Sequence, residues 1–203
     1  MEGIFFNLEK IIEESEDTYL CSKILGTPVF PENFLLNKNG KCILSDSDYF
    51  IMQLNLEDIK NINTPLPNKG MLYLFINVDT LKPKVLFAKD LEDAPLEVLN
   101  DINYAFSVED FGQTTGYKIS FDNNLKEGHY ILGDIDPNLD LEMDMDTNGY
   151  ITLLEIDFLS LPHSDMLLFG DLATSGGHYV FLIKEKDLIN LNFKNVKFVD
   201  TES

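Results

Sequence analysis

Residues 49–56 read Tyr-Phe-Ile-Met-Gln-Leu-Asn-Leu, and residues 71–76 read Met-Leu-Tyr-Leu-Phe-Ile. Both runs are short and rich in aromatic and aliphatic side chains, and Leu66-Pro67-Asn68-Lys69-Gly70 between them is turn chemistry. Apolar runs of this length bounded by turns predict strands buried on most sides. A third strand is predicted at 84–88 (Lys-Val-Leu-Phe-Ala).

Reading outward from these runs gives the rest of the expected fold. Pro28 and Pro31 forbid a helix across 25–31 and favour extended or turn backbone. Residues 33–48 are polar and read as loop or hairpin. Ile4, Leu8, Ile11 and Ile12 recur at helical spacing opposite Glu9, Glu13 and Glu14, which predicts an amphipathic helix over 3–15. The acidic, amphipathic stretch 91–103 predicts a short helix with Pro95 in its first turn. Tyr117, Ile119 and Phe121 alternate as in a strand. Leu139, Leu141, Met143 and Met145 alternate with Asp140, Glu142 and Asp144. Asn148-Gly149 then turns the chain into a returning strand over 150–156, a hairpin signal. Further strands are expected at 166–169, 179–183 and 196–199, with a helical turn at 186–191. The expected class is α+β: a predominantly antiparallel sheet with an N-terminal helix and one or two short helices, in a single domain over 1–203. Residues 70–76 (Gly-Met-Leu-Tyr-Leu-Phe-Ile) echo 177–183 (Gly-His-Tyr-Val-Phe-Leu-Ile). Each follows a strand with one polar residue among apolar ones, Gln53 or Glu155, so two similar β-rich halves are expected at about 22–90 and 129–199.

Composition narrows the function. Of 203 residues, 35 are acidic and 15 basic, for a net charge of −20. Every basic residue is Lys, so the planar fork that Arg offers to phosphates is missing. A nucleic-acid or anionic-membrane partner is therefore not expected, and a basic protein partner or a cation is. Met1-Glu2-Gly3 is not the start of a signal peptide, and no apolar run reaches the roughly 18–20 residues that span a bilayer. Cys21 and Cys42 read as buried thiols of a cytoplasmic protein.

The order and spacing of several motifs resemble the YwqG family of bacterial domains of unknown function, from about residue 22 to about residue 194. Ser22-Lys23-Ile24-Leu25-Gly26-Thr27-Pro28-Val29-Phe30-Pro31 resembles the family's opening Ser-Lys-x-Gly-Gly-x-Pro-x-x-Pro. Met52-Gln53-Leu54-Asn55 and the run Leu66 to Phe75, with Gly70, resemble its next two segments. His129-Tyr130-Ile131-Leu132-Gly133, Thr152 to Asp157 with Glu155, and Phe169-Gly170-Asp171 resemble its later ones. The chain departs from the pattern where one glycine of the opening motif is replaced, where Glu155 stands for Gln, and where Phe169 stands for Trp. The resemblance implies a mostly antiparallel β-rich fold, no established activity, and an immunity or antitoxin role. It marks Lys23, Gly26, Pro28, Pro31, Gln53, Asn55, Gly70, Phe75, His129, Gly133, Glu155, Gly170 and Asp171 as motif positions.

Three candidate chemistries stand beside plainer readings. Asp144-x-Asp146-x-Asn148-Gly149-Tyr150-x-Thr152-x-x-Glu155 satisfies the EF-hand calcium pattern, with oxygens at every required position. Its flanks read as strands, which favours a hairpin and no cofactor, with calcium as the alternative. His129, His163 and His178 are dispersed, and no local signature makes them a triad or a zinc site. The glycines around 170–177 read as a turn, not a phosphate cradle. Gln53 and Asn55 read as buried amides that satisfy neighbouring backbone, or as amides that, with acids from the other half, line a small cleft. No catalytic set emerges. The leading expectation is a non-enzymatic acidic binding domain, an immunity-like partner of a basic toxin; a calcium- or small-ligand-binding domain is second, and an unrecognised enzyme third.

Overall fold

A computed structural model describes residues 2–11, 15–77, 79–89, 91, 95–98, 116–122, 124–125, 127–137, 145–160 and 177–201. In chain order these form β1 (Ile4–Lys10), the single turn α1 (Glu16–Tyr19), β2 (Lys23–Ile24), β3 (Val29–Pro31), β4 (Asp48–Asn55), β5 (Met71–Asn77) and β6 (Lys82–Ala88). They continue as β7 (Leu96–Val98), β8 (Tyr117–Phe121), β9 (Tyr130–Gly133), β10 (Tyr150–Asp157), β11 (His178–Lys184), the short α2 (Glu185–Ile189) and β12 (Lys197–Thr201).

The fold is therefore mainly all-β, not α+β. The expected N-terminal helix is the strand β1. Ile4 and Phe6 are buried while Phe5 between them is partly exposed, a period of two. The aromatic and β-branched triplet Ile4-Phe5-Phe6 fits a pleated surface, and pairing with β9 overrides the helical spacing of Ile4, Leu8 and Ile11. Part of the helix expected at 91–103 is also strand: Leu96–Val98 pairs with Val29–Pro31. The Pro95 carbonyl accepts from the Glu32 N–H at 2.7 Å, a bond a helix would have used internally. The first arm of the hairpin (139–144) and the strand at 166–169 lie outside the described residues. Cys21 is half-buried and Cys42 exposed, neither in a disulfide, so the expectation of two buried thiols is corrected.

The chain divides into two compact units. The first, residues 8–120, orders its strands β8-β2-β4-β5-β6, with every neighbouring pair antiparallel. Phe30, Phe50, Met71, Tyr73 and Phe75 form its core cluster. The second, residues 1–7 and 121–203, orders its strands β1-β9-β10-β11-β12, again antiparallel. Tyr179 packs edge-on to Phe158 and Phe198, with ring centroids 4.5 and 5.2 Å away.

The units repeat one another in local detail. β4 shifts register between Phe50 and Met52, and β10 between Thr152 and Leu154. Gln53 then stands opposite Lys23 and Tyr73, as Glu155 stands opposite Tyr130 and Val180. Ile24-Leu25-Gly26 and Ile131-Leu132-Gly133 each carry a left-handed leucine, at φ 56° and 53°. The Leu56 N–H donates to the Gly70 carbonyl at 2.9 Å, and the Phe158 N–H to the Gly177 carbonyl at 3.2 Å.

Candidate functional site

Gln53 and Glu155 occupy matching places on β4 and β10, and their surroundings are opposite in kind. In the first unit the segment 18–29 closes over Gln53. Its Nε2 donates to the Tyr19 and Cys21 carbonyls at 2.7 and 2.8 Å, and its Oε1 accepts from the Val29 N–H at 3.3 Å. Asn55 Nδ2 donates to the Leu20 carbonyl, and Asn55 Oδ1 accepts from the Glu57 N–H. Ser22 Oγ receives the Asn55 N–H at 2.9 Å and donates to Asp58 at 2.6 Å. Lys23 is fully buried, its ammonium donating to the Thr18 carbonyl. These amides are consumed by backbone, and the Ser22 hydroxyl by backbone and Asp58, as buried polar groups usually are.

The remaining motif residues of this unit are structural. Pro28 and Phe75 are buried, Pro31 ends β3, and Gly26 sits at φ 72°. Gly70 has φ 115°, and a Cβ there would lie 2.7 Å from the Ala88 carbonyl oxygen.

In the second unit the equivalent place is open. A cavity of about 470 Å³ is lined by Glu2, Gly3, Phe5, Glu127, Gly128, Tyr130, Asp134, Ile135, Asp136, Pro137, Glu155, Asp157 and His178. Among the described residues that line it, six are carboxylates, one is a histidine and none is a lysine. Glu155 is only 4% exposed, and its Oε1 contacts His178 Nδ1 at 3.0 Å. Its Oε2 is buried and, among the described residues, has no hydrogen-bond partner. The bond to Glu155 raises the pKa of His178; burial opposes this, and the charges of Glu155, Asp157 and Asp136 add to it. The Tyr130 hydroxyl bonds Thr152 Oγ1 and the Asp134 carbonyl, each at 3.2 Å. Burial raises its pKa, and so does the nearby Glu155. Gly133 makes room for this ring: a Cβ there would lie 2.7 Å from Tyr130 Cε2.

Behind the cavity, His129 Nδ1 accepts the Asp157 N–H at 3.1 Å, the role Ser22 Oγ has in the first unit. An accepting Nδ1 carries no proton, and burial lowers the pKa of this histidine to about 4, with Asp157 opposing.

Only part of the calcium pattern falls among the described residues. Asp144 lies outside the described residues, as do Gly170, Asp171 and His163. Asp146 and Asn148 are exposed in the turn, where Asp146 Oδ1 accepts the Asn148 N–H at 3.0 Å. Thr152 is buried against Tyr130, and Glu155 lies about 17 Å along the strand from Tyr150, at about 3.4 Å per residue. Among the described residues, no three metal-ligating side chains form a group.

Tyr130, Asp136 and Asp157 were not singled out from the sequence as site residues. A usable signal lay in the echo itself. Aligning 70–76 with 177–183 sets His178 against Met71 and leaves Glu155 against Gln53. Polar groups thus appear on one copy where the other is apolar or neutral.

Residues 22–106 match the family model described as a domain of unknown function, DUF1963. The match covers less than half of the chain and falls within the first unit. No curated protein matches the chain. Among the described residues, no helix is long and apolar enough to cross a membrane.

Proposed function

We propose that the protein is a non-enzymatic binding domain for cationic partners, and that a basic protein is the natural one. The observation that carries this reading is the buried carboxylate of Glu155, one oxygen unpartnered, in an acid-lined cavity of a chain with net charge −20. Dispersed negative charge speeds encounter with a basic partner, and a desolvated carboxylate adds specificity. The particular form we favour is an inhibitor of a basic toxin, supported by the charge and by the family resemblance of the motifs. The test is co-purification from the source organism at low salt, followed by binding of the purified partner at rising salt. A stoichiometric basic protein whose Kd weakens at least tenfold between 50 and 300 mM salt (roughly, for several screened charge pairs) supports the reading. An acidic or neutral partner, or affinity independent of salt, overturns it.

A further inference from the structure

We propose that the second unit's cavity is a site for an organic cation, an aliphatic ammonium or guanidinium, with Glu155 Oε2 as its acceptor. This rests on the cation-binding reading above and gives it a ligand class and an address. A carboxylate oxygen held out of water without a donor is unfavourable, and a donor supplied from outside relieves it. Glu155 is 4% exposed and lines this cavity, and its Oε2 is buried and, among the described residues, unpartnered, whereas Gln53 at the matching place has every polar atom bonded to backbone. His178 takes only Oε1, which leaves the second oxygen to a ligand.

The walls select the kind of cation. A bare divalent ion needs several oxygens on one centre, and among the described residues no such group forms. Phe5 and Tyr130 instead present two rings with centroids 5.4 Å apart, and Ile135 and Pro137 add apolar surface. A carboxylate beneath aromatic and aliphatic walls suits a cation on a carbon stem, which stacks on rings while its N–H groups reach the acid. About 470 Å³ lies within the size range of small-molecule sites.

The same cation can arrive as a free amine or as the side chain of a basic partner. Calorimetric titration of the full chain with agmatine, putrescine, calcium chloride and an arginine-rich peptide separates these. Saturable binding of agmatine or putrescine is expected, weakened at least tenfold by Glu155→Gln and unchanged by Asp146→Asn in the exposed turn. In the unmutated protein, the His178 ring resonances should shift as the amine saturates, a readout that does not depend on any variant folding. Peptide binding that agmatine displaces identifies a partner's side chain as the source; amine binding without peptide binding identifies a free amine, and sinks the protein-partner reading while the site stands. No saturable amine binding, affinity indifferent to Glu155→Gln, or a still His178 overturns the site, and peptide binding that persists under those results leaves the broader reading intact.

Discussion

The two units place the same bulge, the same left-handed leucine and the same strand order around one polar position, and then do opposite things with it. In the first unit a strap of chain from Thr18 to Val29 seals Gln53, so the position holds the fold together. In the second, Glu155 keeps one oxygen free and faces a cavity with His178. The difference teaches where function lives in a repeated architecture. Full hydrogen-bond satisfaction marks scaffold, and an incomplete set, kept at a cost in stability, marks a place prepared for something else.

Breaking the scaffold copy should have the largest effect. Gln53→Leu strands the Val29 N–H and the Tyr19 and Cys21 carbonyls, and should cost about 4 kcal/mol, at roughly 1–3 per orphaned group. Urea unfolding measures it; a loss below 1 kcal/mol would mean the strap is not held by this amide.

The next effect is acid lability in the second unit. His129 has its pKa lowered to about 4 when folded, against about 6.5 unfolded, so below pH 6.5 the unfolded chain binds more protons. Stability should therefore fall as pH drops from about 6.5 to about 4, by about 3 kcal/mol, at 1.4 per pKa unit. His129→Ser, which copies Ser22, should flatten that slope in a series of denaturant titrations. His178 acts in the other direction. Its raised pKa makes its ion pair with Glu155 stabilising at low pH, and that contribution is lost as pH rises through the folded value.

A smaller effect is expected from Tyr73→Phe, which removes the buried hydroxyl that donates to the Val29 carbonyl at 2.7 Å. About 1 kcal/mol should be lost. The matching residue in the second unit, Val180, has no such bond to lose. Smallest of all, Glu155→Gln should change thermal stability by less than about 1 kcal/mol while weakening amine binding at least tenfold, because the lost ion pair with His178 is offset by removing a buried carboxylate oxygen that has no donor. A sharp fall in Tm would instead make Glu155 a second Gln53.

Much of this was legible in the sequence. The strands at 49–56, 71–76, 84–88, 117–121 and 179–183 announce themselves because their burial is nearly continuous or alternates cleanly. The Asn148-Gly149 turn does so because its chemistry is local, with Gly149 at φ 76°. The N-terminal strand was hidden because Ile4, Leu8 and Ile11 satisfy a helical spacing, and only pairing with a segment far along the chain chooses between the two. The cavity was hidden for the same reason: Phe5, Tyr130, Asp136, Asp157 and His178 come from separated segments, and nothing near any one of them signals the others. In the calcium pattern, the described members Tyr150, Thr152 and Glu155 are spread along one strand.

One feature of the connectivity bears on how the chain is made. β1 precedes β9 by more than a hundred residues yet pairs with it, and β8 follows β7 yet pairs back to β2. On the ribosome, β1 emerges before β9, and the two cannot pair until everything up to Gly133 is synthesised, roughly 6–25 s at 5–20 residues per second. The first unit cannot finish either until β8 has left the exit tunnel. Such long-range closure slows folding and leaves strand edges bare in the interim. The net charge of −20 would then hold nascent copies apart until each has found its own strands.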